Sequence, residues 1–364
     1  MPGTATGRSA EGRDDSGTIV GEPAFTTFFS RRPSSSSGKL RTCAQLDKAG
    51  GARAVSVAVV TFNTRDYLRA CLDSVLAEAP GEVLVVDNAS TDGTPDMVRT
   101  EYPQVALCAN TANYGYGPAA NQAVKSCRGD YVLLLNGDAI LTPGAIGALS
   151  AYMDRHPAAA VVGPLLRHPD GWLQRSYFPF PGTLGWFLEN EPLVWLLRCL
   201  PVGRERFLCL TPPTVDRVVP WVLGAALLLR RTAFEAVGGF EESYFMYFEE
   251  VDLCLRLRAI QSQVHFTPSA TVLHVRGAST SQCREEMLIA HFRSSERFYR
   301  RHYSGRRAWF WIFLMKLKIA MRLVRDVVRL GVGSDERTRV MLTQQVDAWK
   351  TVLRGLPEYP GAAR

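Results

Sequence analysis

Unbroken apolar runs alternate with amphipathic stretches along the first part of the chain. VSVAVVTF (55–62) is apolar and largely β-branched, the pattern of a strand buried on both faces. Asn63 and Thr64 follow it as turn and cap residues. In RDYLRACLDSVLAEA the apolar positions recur every three or four residues up to Pro80-Gly81, which predicts a helix with a defined stop. EVLVVD (82–87), a short run in VALCAN (105–110) and DYVLLLN (130–136) predict three more strands. NASTDGTPDMV reads as a turn and a short helix start, and GPAANQAVKSC (117–127) as a helix. Strand and helix alternating at this spacing predict βαβ units around a mainly parallel sheet flanked by helices, an α/β fold. No internal repeat or heptad pattern is present.

The two ends read differently. Residues 1–53 are rich in Gly, Ser, Thr, Arg and Asp, with SSSSG inside Arg31–Lys39. Such a composition predicts a disordered tail, and no apolar run in it reaches the length of a secretory leader core. Residues 304–364 predict a basic, amphipathic helical extension. RRAWFWIFLMKLKIAMRLVRDVVRLGV (306–332) sets Trp309, Phe310, Trp311 and Phe313 among spaced basic residues. Lys316 and Lys318 interrupt the apolar run too early for a spanning helix of ~20 residues. From Arg293 to Arg329 there are eleven Lys or Arg against two acids, Glu296 and Asp326. Aromatics beside a basic face fit a helix lying on an anionic membrane surface. Packing on the sheet domain, or on a second subunit in a homodimer, is the other use of such a face.

Composition narrows the class. The apolar share of 46% and charged share of 21% are those of a globular protein. A net charge of +7 points to an anionic partner. No nucleic-acid-binding motif accompanies the charge, so nucleic acid is not that partner. Eight cysteines are scattered without a CxxC pair, which argues against a zinc site and a disulfide framework and for a reducing compartment.

In an open α/β sheet, ligands sit beyond the carboxyl ends of the strands. The first polar residues there are Thr61 and Asn63, Asp87 and Asn88, Asn110 and Asn113, then Asn136 and Asp138. Four strand ends thus deliver compact polar groups to one rim. GxGxxG and GxxxxGK[ST] are both absent after the first strand, which weighs against a dehydrogenase and an NTPase. In LLLNGDAIL (133–141), Asn136 and Asp138 lie two apart after a buried strand. A carboxylate there suits a hard divalent cation that also holds a diphosphate. In YFMYFEEVDLCLRLR (244–258) an aromatic cluster runs into Glu249, Glu250 and Asp252. Those acids either start a helix or set a base beside a substrate.

VSVAVVTFN, EVLVVDNASTDGT, NYGYGPAANQAV, GDYVLLLNGDAIL, HPDGWLQRSYF, VLGAALLLRRTAFEAVGGFEESYFMYFEEVDLCLR and TVLHVRGAST occur in this order. Together they resemble the family 2 inverting glycosyltransferases of the GT-A fold, nearest the branch with bacterial rhamnosyltransferases of cell-wall and surface-polysaccharide assembly. The resemblance covers about residues 54–300. It implies a GT-A type, Rossmann-like domain over 54–303, with a mixed, mainly parallel sheet and the C-terminal helical extension after it. Thr61 and Asn63 match the loop that lies on the nucleotide, Asp87 the acid that bonds the base, and Asp92 the second acid of that loop. Asn88 stands beside Asp87 in the same nucleotide-sugar set. Asn113, Gly115 and Asn121 match the block near the nucleotide-sugar. Asn136 and Asp138 match the metal motif, with Asp138 as ligand to Mg²⁺ or Mn²⁺ and His274 completing the site. Trp221, Gly224 and Ala225 match the stretch that shapes the donor and acceptor pocket.

The resemblance also implies a nucleotide-diphosphate sugar as donor, with dTDP-rhamnose first and UDP-sugars behind, and a glycan or lipid-linked acceptor. The enzyme would be cytoplasmic and peripheral on the inner face of the cell membrane. Where relatives read F-E-D-V-D, the second acid is the base, and here that position is Glu250. Glu249 and Asp252 are the alternatives, and Asp252 with Arg256 reads as an ordinary helix pair. The helix start should keep Glu250 ionised. LLRHPDGWLQRS predicts a hairpin turn at Asp170-Gly171, with Asp170, Trp172 and Gln174 as further candidates. Residues 178–215 depart from the family pattern and read as an acceptor loop or a lipid-facing surface. A non-catalytic nucleotide-sugar or glycan-binding protein is the alternative function. A nucleotidyltransferase lacks its basic phosphate loop in TFNTRDYL, and a processive synthase lacks its Q-x-x-R-W block.

Overall fold

A single mixed sheet of ten strands organises the computed structural model, which describes residues 55–183, 214–275, 277, 284–332 and 335–355. The expected tail over 1–53 and most of the 178–215 segment lie outside the described residues. β1 (Val55–Thr61), β2 (Glu82–Asp87), β3 (Ala106–Ala109) and β4 (Tyr131–Asn136) run parallel in the order β3-β2-β1-β4. α1 (Arg65–Ala77), α2 (Thr94–Glu101) and α3 (Tyr116–Ser126) are their crossovers, as the βαβ pattern predicts.

After β4 the chain builds β5 (Ala139–Leu141), α4 (Ala145–Arg155), β6 (Ala159–Arg167), β7 (Leu173–Gln174) and β8 (Tyr177–Phe178). It resumes with β9 (Arg217–Val218), β10 (Trp221–Val222), β11 (Ala226–Arg230), α5 (Arg231–Ala236), α6 (Glu249–Ala259) and β12 (Gln263–His274). The sheet continues as β4-β11-β6-β12-β5. β11 is antiparallel to both β4 and β6, β12 is parallel to β6, and β5 is antiparallel to β12. β6 and β7 form the hairpin expected around Asp170-Gly171, with the His168 N–H bonded to Trp172 O at 3.0 Å. β8 and β10 form a separate two-stranded sheet.

Because side chains alternate along a strand, the buried runs feed two cores. Ala58, Val60, Leu84, Val86, Val132 and Leu134 face α3 and α6. Val57, Val59, Val85 and Leu133 face α1, α2 and α4, where Leu68, Leu72, Val98 and Leu149 meet them. Both faces are covered, which is why these strands read as unbroken apolar runs.

Three C-terminal helices follow, α7 (Arg284–His302), α8 (Gly305–Val332) and α9 (Glu336–Arg354). Phe298 and Tyr299 of α7 and Ala308 and Ile312 of α8 enter the first core. The helical extension therefore shares the sheet domain's core at its first turns. Further on, Ile319, Trp349 and Val352 close a small core between α8 and α9. Asp326, fully buried there, accepts bonds from Trp349 Nε1 at 3.0 Å and Arg325 Nε at 2.8 Å.

Candidate active site

The carboxyl ends of β1 and β2 carry a tightly bonded rim. Asp87 closes β2, and its Oδ2 accepts the Ser90 N–H at 2.9 Å. Its Oδ1 is buried without a hydrogen-bond partner. Burial raises the Asp87 pKa although Ser90 bonds oppose it. The residue lines a cavity of about 350 Å³ with Ser90, Thr91, Arg99 and Asn110. A buried acceptor without a donor is costly.

Neighbouring polar residues brace the rim. Asn63, with left-handed backbone (φ 51°), accepts the Thr91 N–H at 2.8 Å and gives its own N–H to Ser90 Oγ at 2.8 Å. Asp92 caps two helices: it accepts the Arg65 N–H at 2.9 Å and the Thr94 N–H and hydroxyl at 3.0 and 2.6 Å. Asn88 gives its amide hydrogens to Asn113 Oδ1 at 2.8 Å and Gly115 O at 3.0 Å, and accepts from Asn110 and Tyr114. Asn121 clamps Phe240 through both its main-chain N–H and C=O, at 2.8 and 2.9 Å. Asn88, Asp92 and Asn121 are thus bonded to protein and hold the loops in shape. Thr61 and Thr64 share a bond of 2.6 Å, and Gly137 presses on both: a Cβ there would lie 2.7 Å from each hydroxyl.

Asp138 and His274 meet across the sheet edge. β5 pairs with β12 so that Ala139 sits opposite His274, and the Val275 N–H bonds Asp138 O at 3.2 Å. His274 Nε2 lies 3.5 Å from Asp138 Oδ1, and both side chains are buried. On the other side of the ring, Nδ1 is 2.9 Å from Gln174 Oε1. With Gln174 behind it, the ring turns Nε2 toward the Asp138 carboxylate. A carboxylate with an imidazole oriented from behind suits Mg²⁺ or Mn²⁺. No group of three or more His, Cys, Asp or Glu surrounds a metal position among the described residues.

The aromatic cluster forms an elbow. Tyr247 and Phe248 both adopt left-handed backbone, with φ of 67° and 70°, which costs non-glycine residues about 1–3 kcal/mol each. Surrounding contacts hold it. The Tyr116 N–H bonds Phe245 O at 2.9 Å, and Ser294 Oγ bonds Met246 O at 2.8 Å. The His291 ring packs edge-on to Tyr247 and Phe248, and Phe298 packs on Phe248. Gly115 is required beneath, since a Cβ would come 2.3 Å from Phe245 O.

The elbow delivers Glu249 and Glu250 to the buried first turn of α6. Burial pushes the Glu250 pKa up to about 7, against N–H bonds from its own amide and those of Gly224 and Val251. The helix start alone was expected to keep it ionised; desolvation outweighs that effect. Glu249 is raised well above the usual carboxylate range by burial and by the neighbouring Glu250 charge. Tyr116 lies against both acids and bonds Gly224 O at 3.1 Å. Burial and the two acids raise its pKa, so the phenol keeps its proton.

Asp252 has other partners. It is fully buried and accepts from Arg256 Nε and His302 Nε2, both at 2.6 Å, with Arg301 Nε at 3.4 Å. Arg256 also bonds Val237 O and Gly239 O. Burial pushes the Asp252 pKa up, but the bonds from His302 and Arg256 outweigh it and hold the carboxylate low. The helix pair expected from sequence is present, as part of a hub joining α6, the 237–240 turn and α7.

One short segment joins these parts. The Asn136 N–H bonds Ala225 O at 3.1 Å, and the adjacent Gly224 amide bonds Glu250. The β4 end that carries Asn136 and Asp138 is thereby tied to the Glu250 turn. Trp221 stacks on Phe178 at 4.7 Å and bonds Pro179 O at 2.9 Å, forming a wall beside that segment. Trp172 stacks on His168 at the exposed hairpin. A larger cavity of about 620 Å³, lined by Leu165, Arg167, Leu173 and Asp216 among others, contains none of the rim residues. Tyr116 and Gly137 were missed in sequence; their only signal was to stand inside the NYGYGP and NGD blocks.

The chain is similar in sequence to known proteins. Residues 56–203 match glycosyl transferase family 2. The N-acetylglucosaminyl-diphospho-decaprenol L-rhamnosyltransferase of Mycobacterium tuberculosis is 37% identical over 270 residues, 68% of this chain and 85% of that protein. The rhamnosyltransferase WbbL of Escherichia coli K12 is 25% identical over 228 residues, 60% of this chain and 83% of that protein. A Pyrobaculum calidifontis mannosyltransferase solved with GDP-Man and Mn²⁺ aligns at a TM-score of 0.47 and 17% identity, over 83% of this chain and 87% of that one.

Proposed function

The chain belongs to glycosyl transferase family 2, in its rhamnosyltransferase branch, and from that premise we propose a specific reaction. It transfers L-rhamnose from dTDP-rhamnose to a hydroxyl of a lipid-diphosphate-linked glycan in cell-wall polysaccharide assembly. The observation that carries this reading is Glu250: a buried carboxylate poised near neutrality and bonded through Gly224 to the segment that holds Asn136 and Asp138.

Each residue then has a task. Asp87 Oδ1 accepts the N3–H of the donor's pyrimidine, the donor that its buried position lacks. Asn63 and Thr61 shape the loop under the nucleotide. Asp138 and His274 hold a divalent cation, which when bound offsets the charge of the leaving diphosphate. Glu250 takes the proton of the acceptor hydroxyl. The acceptor oxygen bonds the anomeric carbon as the bond to the diphosphate oxygen breaks, and dTDP leaves from the opposite face. A single displacement inverts the configuration. Glu249, whose pKa burial and the Glu250 charge raise, and Tyr116 stand beside Glu250. The backbone amide of Gly224 reaches the longer Glu side chain, which supports Glu250 as a competent base where relatives carry Asp.

Residues 54–303 act as the catalytic domain and 304–364 as its helical extension. A lipid-linked acceptor places the protein at the inner face of the cell membrane. The proposed association is peripheral; no helix among the described residues is long and apolar enough to cross a membrane. The test offers purified protein dTDP-, UDP- and GDP-sugars with Mn²⁺ or Mg²⁺ and N-acetylglucosaminyl-diphospho-polyprenol. Cation-dependent formation of a rhamnosyl-extended lipid from dTDP-rhamnose is expected. Failure to bind any nucleotide sugar would overturn the proposal.

A further inference from the structure

Helix α8 buries one side and leaves the opposite side bare. Ile312, Ile319 and Asp326 face the sheet domain and α9. On the far side stand Trp309, Phe313, Leu317, Met321, Val324 and Val328, each 45–67% exposed. At 3.6 residues per turn they share one arc of roughly 120°. The arc runs along a helix of 28 residues, about 42 Å long. Contiguous exposed apolar surface of this extent marks an interaction site on a soluble protein.

The edges of the arc are basic. Arg307, Arg325 and Arg329 line one edge and Lys316 the other. Arg325 reaches the buried Asp326, yet its side chain remains 53% exposed. The helix has no other acid than Asp326, so no negative charge lies on the outward side.

We propose that this face is a docking surface for an anionic phospholipid bilayer. α8 lies in the headgroup plane, with the apolar arc at the acyl boundary and the arginines and lysine at the phosphates. Charge selects this occupant. Headgroup phosphates match a single sign of charge along the whole helix. A second copy of the chain, paired face to face, would set the same basic edges against each other. The choice of membrane rests on the proposed lipid-linked acceptor, but the surface and its test do not depend on turnover.

Flotation of the full chain with vesicles tests the inference. Wild-type protein is expected to float with mixed phosphatidylcholine–phosphatidylglycerol vesicles and much less with phosphatidylcholine alone. The exposed triple variant Phe313→Ser/Leu317→Ser/Val324→Ser should partition about 100-fold more weakly. Arg307→Glu/Arg329→Glu should lose the preference for phosphatidylglycerol. Ile260→Ser, at an exposed apolar position beyond α6, should float like wild type. Wild-type protein that ignores anionic vesicles, or a triple variant that floats unchanged, would overturn the proposal. So would a wild-type dimer that the triple variant converts to monomer with vesicle binding unaltered. Transfer to a detergent-dispersed acceptor, measured in parallel, fails only if the catalytic reading is wrong.

Discussion

Gln174 and His274 stand a hundred residues apart in sequence and 2.9 Å apart in space. The β6–β7 hairpin brings Gln174 behind the imidazole, and the ring then turns Nε2 toward Asp138 at 3.5 Å. This arrangement predicts a graded loss of metal affinity. Asp138→Asn and His274→Ala should abolish Mn²⁺ binding in the presence of dTDP. Gln174→Leu, which removes only the partner behind the ring, should weaken it by about 10- to 100-fold. Electron paramagnetic resonance of free Mn²⁺ measures each. Unchanged affinity in His274→Ala would make His274 a packing residue.

Asp87 predicts a nucleotide effect separable from chemistry. Its orphan Oδ1 needs a donor N–H, whereas an Asn amide group could present hydrogens toward the pyrimidine N3–H. Asp87→Asn should weaken dTDP binding by about 10- to 100-fold, with turnover at saturating donor nearly kept. Calorimetric titration with dTDP reads the first, and saturation kinetics the second.

The buried acids predict opposite pH dependences for stability and rate. The Glu250 pKa in the folded protein, about 7, lies above its ordinary value of 4.5. Its contribution to stability is therefore fully present below about 4.5 and is lost as pH rises through about 7. The base must be ionised, so kcat/KM should rise through the same window. Glu250→Gln should be more stable than wild type at pH 8 by roughly 2–3 kcal/mol, and about equal to it at pH 5. Thermal denaturation at the two pH values measures the difference.

Asp252 is predicted to be structural. Removing one partner of a buried, multiply bonded charge costs roughly 3–5 kcal/mol, and Asp252→Ala also leaves Arg256 and His302 without their carboxylate. A large drop in Tm is expected. A variant of wild-type Tm and normal donor binding that cannot turn over would instead place Asp252 in the chemistry.

The strands buried on both faces were legible in sequence because every residue of VSVAVVT and most of EVLVVD and YVLLLN is buried. The rim could be placed at the strand ends for the same reason. The inserted antiparallel β11 was not legible, since ALLLR is short and its neighbours β4 and β6 are distant in sequence. Nor could the sequence separate ligand contacts from braces. Asn88, Asp92 and Asn121 share the composition of the rim, but tertiary hydrogen bonds absorb them. The near-neutral Glu250 was hidden too, because burial of the α6 start depends on an elbow held by α7, about fifty residues downstream.

The central claim is that Glu250 is the base of a glycosyl transfer. Donor binding and transfer by Glu250→Gln, with dTDP-rhamnose, Mn²⁺ and the lipid-linked acceptor, test it most directly. The account predicts a donor Kd within about twofold of wild type and transfer slowed roughly 10²–10⁴-fold. Transfer retained at the wild-type rate, with binding intact, would contradict it.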